Sequence, residues 1–286
     1  MNKRFIGPSA MAAQIIRDLR IREPSEISIK DIAMNRGAFV RESILEGSEA
    51  RLIRKGRKGI VTVNSGIRED GRKRFAIAHE LGHFELHSTS QLIFCTEEDM
   101  LFWNEGKSQE IEANEFSACI LMPEEMFSKR IKTGPPNLKN VRDIAEQFRT
   151  TLTATALRYC QLSPEPCAVV VSRNGVIRWY RKSDSFDFHV KVGEKLSPDT
   201  YAYDFFDGVD LPSSPQKAPA TAWLAGNVDE GAEIFEHSIA LASYNVVLSM
   251  LWIYEEIRLR SATYYDDEPE FDLTNPFTPD GKRWRW

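Results

Sequence analysis

Apolar residues recur with helical and then extended spacing along the first part of the chain. Residues 9–22 and 29–34 repeat their apolar positions as amphipathic helices do, and residues 38–64 are typical of short strands. Two further helices are predicted, at 74–87 and 108–123. The basic segment within 38–64 is interpreted as a solvated hairpin tip, with a site for an anionic partner as the alternative.

Beyond Pro166 the pattern becomes strand-like. Four strands are predicted, at 168–172, 176–180, 233–242 and 245–253. The first two flank Asn174-Gly175, and an Asn-Gly pair between apolar runs predicts a β-hairpin. The last residues, 263–286, pass from acidic to aromatic and basic, so we expect a flexible tail there.

The segment 74–87 contains the most specific motif of the chain, His79-Glu80-Leu81-Gly82-His83. Because an α-helix has 3.6 residues per turn, His79 and His83 point the same way and can bind one Zn²⁺ ion. Glu80 can then act as general base on a water that the metal activates. The alternative is a helix with two histidines by chance, but three of the five histidines fall within nine residues. The motif therefore predicts a metal-dependent peptidase.

A catalytic zinc needs a third protein ligand and an open position for water. In one class of such enzymes the ligand follows the second histidine by six residues, with a glycine between; Thr89 and Leu86 occupy those positions and exclude that class. The other class uses a glutamate from a second helix. Glu112 is favoured, because it lies near the middle of the apolar face, where a carboxylate is costly to bury unless it binds a metal. Glu110, on the polar side, and Glu115, at the edge, are the alternatives.

His87 follows His83 by one helical turn and lies on the same flank as Glu80. The favoured interpretation is a packed imidazole bonded to a neighbouring carbonyl. The alternative is a histidine that supports the metal site or faces the substrate.

Residues 141–148 and 152–162 resemble a helix-turn-helix, whose second helix would enter the major groove of DNA. That helix offers only Arg158 and Gln161 as strong base readers, and the turn lacks the usual glycine. Structural packing of this helix pair is therefore favoured over DNA contact.

Composition fits an intracellular enzyme. The chain has 286 residues, a net charge of −5 and four cysteines without paired spacing, which suits a reducing cytoplasm and disfavours a broad nucleic-acid surface. The N-terminus has no apolar run of signal-peptide length, and no segment is apolar for long enough to span a bilayer. We expect a cytoplasmic protein without membrane contact.

Three segments together resemble the ImmA/IrrE family of metallo-endopeptidases. They are Phe75–His87, the run Glu112-Ala113-Asn114 with Phe116, and Ile120-Leu121-Met122-Pro123. The family pattern is an AHELGH helix followed by E-A-N-x-F-A and L-L-M-P, from which Ser117 and Ile120 are mild departures. The resemblance covers residues ~30 to ~125.

The resemblance implies a zincin-like fold, with zinc bound by His79, His83 and Glu112. We therefore expect an α+β protein with a zincin-like metallopeptidase domain at 1–130, a helix-turn-helix-like pair at 131–164 and a small β-rich C-terminal domain at 165–262. In zincins an edge strand beside the cleft can pair with an extended substrate, and residues 60–64 are the candidate for that strand.

Two functions are predicted. Characterised members of the family cleave helix-turn-helix repressors and so switch on stress or mobile-element genes, which implies a zinc endopeptidase acting on a repressor. The alternative is a DNA-binding regulator or antitoxin-like module with a structural metal site. Glu80 favours the enzyme, because a structural site needs no base. Mn²⁺ is the alternative to Zn²⁺.

Overall fold

A computed structural model of the chain describes residues 7–87, 92–95, 108–132, 134–241 and 245–253. These residues form helices and two sheets, which confirms the predicted α+β fold class. They separate into two compact units. The first contains the described residues of Met1–Pro123 and Phe148–Thr150, and the second those of Glu124–Gln147 and Thr151–Tyr264. The predicted tail, 263–286, lies outside the described residues.

The first unit combines helices with a sheet whose strand order is β1-β3-β2-β4. Its helices are α1 (Pro8–Asp18), α2 (Ile29–Asn35), α3 (Asp70–Leu86) and α4 (Ser108–Leu121). Its strands are β1 (Ala38–Ser43), β2 (Ala50–Lys55), β3 (Lys58–Asn64) and β4 (Leu92–Cys95). Strands β2 and β3 form an antiparallel hairpin, as the segment 38–64 predicted, and β1 is parallel to β3.

Strand β3 lies inside the sheet, with β1 on one side and β2 on the other. The prediction that residues 60–64 form an edge strand is therefore wrong. Both backbone edges of β3 are already paired, so neither can accept a substrate strand. Three consecutive residues of β3, Val61, Thr62 and Val63, are fully buried, as is usual for a central strand.

Two contacts fix α3 on this sheet. Gly59 leaves room for the ring of Phe84. A β-carbon on residue 59 would lie only 3.0 Å from that ring. From β2, Arg54 Nη1 donates to the carbonyl oxygens of Phe84 (2.7 Å) and His87 (3.1 Å). These carbonyls belong to the end of α3, which has no intrahelical donors left for them. One arginine of the basic hairpin thus caps the helix that carries the HExxH motif.

The second unit is built on an antiparallel sheet of order β6-β5-β9-β8-β7. Its strands are β5 (Cys167–Arg173), β6 (Val176–Lys182), β7 (Gln216–Pro219), β8 (Glu233–Leu241) and β9 (Val246–Trp252). Its helices are α5 (Glu124–Ser128), α6 (Leu138–Phe148), α7 (Leu152–Leu162), α8 (Tyr201–Phe206) and α9 (Ala220–Trp223). The last residue of α6, Phe148, is assigned to the first unit. Trp223 and Phe186 are fully buried in its core. Among the described residues, no helix is both long and apolar enough to cross a membrane.

Candidate metal centre

Helix α3 presents the two histidines of the motif and the glutamate between them to the protein interior. The helix runs without a break from Asp70 to Leu86, so His79 and His83 project from the same face. The side chains of His79, Glu80 and His83 are all 0% exposed. Polar groups buried this deeply are costly unless each has a partner, and the two imidazoles find theirs on α3 and α4.

Helix α4 supplies the third member of the cluster, Glu110. The two helices approach closely at Gly82, where a β-carbon would lie 3.1 Å from Cα of Ala113 and 3.2 Å from its carbonyl oxygen. A β-carbon at those distances would be tighter than ordinary van der Waals contact, so glycine favours the close approach of the two backbones. As a result, the first turn of α4 places the Glu110 carboxylate beside the imidazoles of His79 and His83.

Three donor atoms converge at this point. Oε2 of Glu110 lies 3.0 Å from Nε2 of His79 and 3.2 Å from Nε2 of His83, and the two Nε2 atoms are 3.0 Å apart. Ligands bound tetrahedrally to Zn²⁺ at about 2.0–2.1 Å are separated by about 3.3–3.4 Å. The triangle therefore fits one small divalent cation after shifts of a few tenths of an ångström. Among the described residues, this is the cluster of histidine, cysteine and acidic side chains suited to hold a metal.

The sequence around this cluster matches a known family. Residues 33–159 fit the model of the M78 peptidases, described as the IrrE N-terminal-like domain. This stretch of the chain is similar to the IrrE N-terminal-like domain of the M78 peptidase family. The match includes all of α3 and α4, and so every residue of the cluster. It confirms the resemblance found in the sequence and supports a metallopeptidase-type site.

The chain also has a structural counterpart with little sequence similarity. A Mycobacterium tuberculosis transcriptional regulator superposes with a TM-score of 0.54 at 14% identity, over 86% of this chain and 76% of that one. At this identity the likeness concerns the fold alone. No curated protein matches the sequence significantly.

Glu112, the predicted third ligand, lies elsewhere in the IrrE N-terminal-like domain. Its Oε2 is 2.9 Å from Nε2 of His87. The carboxylate that contacts both motif histidines belongs to Glu110. The structure thus brings His79 and His83 together with Glu110, and Glu112 is not part of this cluster. Glu115 is partly buried and is not in the cluster either.

The difference arises from which face of α4 meets α3. From the sequence, the widest apolar face of α4 is expected to turn toward the metal. The residues that share a face with Glu110 are instead small or polar, namely Ala113, Asn114 and Ser117, and all three are buried. Oδ1 of Asn114 lies 2.8 Å from Nδ1 of His79, the ring nitrogen that is not in the cluster, and this contact orients the imidazole. Sequence reasoning missed Asn114, although its spacing of four from Glu110 was a usable signal.

The ionisation of the three clustered side chains bears on whether they can bind a cation. Burial alone would raise the pKa of the Glu110 carboxyl, but its hydrogen bonds with His79 and His83 outweigh burial and hold that pKa well below its usual range. Burial lowers the pKa of His83 and so favours its neutral form. For His79, burial opposes protonation, but Glu110 and Glu80 outweigh it and raise its pKa. The ionised Glu110 carboxylate and the neutral His83 imidazole are the forms that bind a metal, whereas a metal bound to His79 would have to displace the proton that its raised pKa favours.

Proposed function

We propose that the protein is a zinc-dependent endopeptidase that hydrolyses a peptide bond in a regulatory protein. The observation that carries the proposal is the cluster of His79, His83 and Glu110, with the buried Glu80 next to the first ligand. Two imidazole nitrogens and one carboxylate oxygen are a donor set found in catalytic zinc sites, which keep a fourth position for water or substrate. Mn²⁺ is the alternative ion, since the same donors accept it.

The chemistry divides between the ion and Glu80. His79, His83 and Glu110 would hold the zinc ion, which would supply the Lewis acid for the attacking water and the scissile carbonyl. Glu80 has the role of general base: it accepts a proton from the attacking water and later passes it to the leaving amine. His79 and Glu80 are neighbours on one helix, so the base is held rigidly relative to the ligand.

The proposed substrate is a helix-turn-helix transcriptional repressor, in the cytoplasm. Support comes from the resemblance to the ImmA/IrrE family, whose characterised members cleave such repressors. The partner is therefore inferred from the family, and the protease chemistry from the site.

The test uses a repressor encoded beside the gene, together with a proteome-derived peptide library. Zinc-loaded wild type should produce new N-termini, detected by mass spectrometry, and a chelator should abolish them. The Glu80→Gln variant should retain zinc but cleave about 10²–10⁴-fold more slowly, because the base is lost. Glu69→Gln, an exposed change just before the same helix, is the matched control and should cleave normally. Wild-type rates in Glu80→Gln, or no cleavage by zinc-loaded wild type, would contradict the proposal.

A second function, DNA binding by a regulator with a structural metal site, has one supporting observation. The similar Mycobacterium tuberculosis protein is a transcriptional regulator, although the likeness extends to the fold alone. Against it, Arg158 on α7 is 3% exposed and donates to Oε1 of Gln161 at 2.7 Å. The two expected base readers therefore bind each other. Retention on duplex DNA at about 0.15 M salt would favour this alternative.

A further inference from the structure

We propose that His87 and Glu112 are positioning residues, which fix the tautomer and orientation of His83 for metal binding. This inference rests on the proposed metal site and goes beyond it. It gives a role to two residues outside the cluster. One of them, Glu112, is the third ligand that the sequence predicts.

The three side chains form a continuous chain of contacts. Nδ1 of His83 lies 2.9 Å from Nδ1 of His87, and Nε2 of His87 lies 2.9 Å from Oε2 of Glu112. His83 is 0% exposed and His87 6%, so water does not compete freely for the inner contact. Glu112 is partly exposed and closes the chain at the surface.

Metal binding permits one arrangement of protons along this chain. Because Nε2 of His83 points into the cluster, its lone pair faces the ion and the proton of the neutral ring is on Nδ1. That N–H donates to Nδ1 of His87, which must then be the acceptor. His87 consequently carries its own proton on Nε2 and donates it to the Glu112 carboxylate. Each contact has one donor and one acceptor, and the chain ends on a negative charge.

The two motif histidines are therefore held differently. His79 contacts the neutral amide oxygen of Asn114 at 2.8 Å, whereas His83 is linked through His87 to a carboxylate. Hydrogen-bond partners of this kind raise the basicity of a ligating imidazole and restrict its rotation. Loss of the chain should weaken the metal–His83 bond in particular.

The backbone of His87 is held independently of its side chain. Its N–H donates to the carbonyl of His83 at 3.0 Å, and its own carbonyl accepts from Arg54 at 3.1 Å. Substitution of the imidazole should therefore leave the end of α3 in place. This separates the role of the ring from the role of the residue in the fold.

The first measurement is the zinc dissociation constant, determined by competition with a chromophoric chelator. His87→Phe and Glu112→Leu should each weaken zinc binding about 10–100-fold, the range expected for outer partners of a ligand. Glu112→Gln should recover most of the loss, because its amide oxygen still accepts from His87. Glu115→Gln on the same helix is the matched control and should bind zinc as wild type does. Thermal unfolding followed by circular dichroism checks that each variant folds.

The second measurement is ¹⁵N NMR of the imidazoles in zinc-loaded wild type, which does not depend on any variant. His87 should be protonated at Nε2, and His83 at Nδ1. A proton on Nδ1 of His87, or zinc affinities unchanged in His87→Phe and Glu112→Leu, would overturn the inference while leaving the metal site intact. Conversely, if the affinity losses and tautomers are as expected but zinc-loaded wild type cleaves nothing, the proposed function fails and this inference stands.

Discussion

Glu110 and Glu112 are two residues apart on α4, and the sequence alone favours Glu112 as the third ligand, with Glu110 as an alternative. The carboxylate of Glu110 meets two buried imidazoles, while that of Glu112 meets His87 nearer the surface. Hydrophobic periodicity does not distinguish them, because the face of α4 turned toward α3 combines the large apolar Phe116 with the small or polar Ala113 and Asn114. The identity of the third ligand depends on a contact between two helices that are separated in the chain.

Removal of the Glu110 carboxylate tests this assignment directly. Glu110→Ala takes away one of three donors and should weaken zinc binding by more than the roughly 10–100-fold typical of an outer partner. The measurement is the zinc content after dialysis, together with the dissociation constant from chelator competition. Glu115→Ala, which removes the other glutamate considered as a ligand, should retain the metal. An equal loss of zinc affinity in both variants would show that Glu110 is not a specific ligand.

The residues whose relative placement could be predicted are those that local spacing alone positions. His79, Glu80 and His83 follow from a five-residue motif, because a helix alone fixes their relative directions. Asn114 and His87 could not be assigned, since each depends on a contact made only when α3 and α4 pack. Arg54 belongs to a segment interpreted as a solvated hairpin tip, and its contact with the end of α3 is equally non-local.

At the scale of elements, Gly82 controls how closely the two metal-binding helices approach. It stands between the two motif histidines and opposite Ala113, with Phe116 also close. A side chain at this position would meet backbone atoms, which cannot turn aside as a flexible side chain can. Gly82, which is not itself a metal ligand, therefore helps to set the distance between the ligands on α3 and the ligand on α4.

Gly82→Ala should destabilise the protein and weaken zinc binding together. The added methyl would lie 3.1–3.2 Å from Ala113 and Phe116, and overpacking of this kind costs about 1–3 kcal/mol. The higher helix propensity of alanine returns about 1 kcal/mol, so we expect a net loss of up to about 2 kcal/mol. Urea unfolding and chelator competition measure the two effects.

Gly231→Ala is the control for this change, because its β-carbon would meet nothing closer than Asp229 at 4.0 Å. It should alter neither the free energy of unfolding nor the zinc affinity. Normal stability and normal zinc affinity in Gly82→Ala would show that the helices can separate without cost, against the close packing described here.

Elements with strong local signals could be predicted, and their arrangement could not. The Asn174-Gly175 turn adopts positive φ at both residues, 53° and 72°, as its hairpin signal requires. By contrast, the central position of β3 depends on parallel pairing with β1 and antiparallel pairing with β2. Helices α8 and α9 and strand β7 lie in the stretch 183–230, where proline-rich loops obscured short elements.

At the scale of the whole molecule, the metal cluster and the five-stranded sheet belong to different units. The cluster uses α3 and α4 of the first unit. The second unit has a hydrophobic core of its own around Trp223 and Phe186. Because a ligand stabilises the structure that must be intact to bind it, the effect of zinc should be confined to the first unit if the two unfold separately.

Hydrogen exchange with and without a chelator tests this expectation. At free zinc 100-fold above its dissociation constant, linkage adds about 2.7 kcal/mol to the stability of the binding unit. Amides of α3 and α4 that exchange through unfolding should then exchange up to about 100-fold more slowly, whereas those of β5 and β9 should not change. Glu110→Ala supplies the control, since zinc should slow none of its amides. Equal slowing in β5 and β9 would show that the units unfold as one, and no slowing in α3 and α4 would place the metal elsewhere.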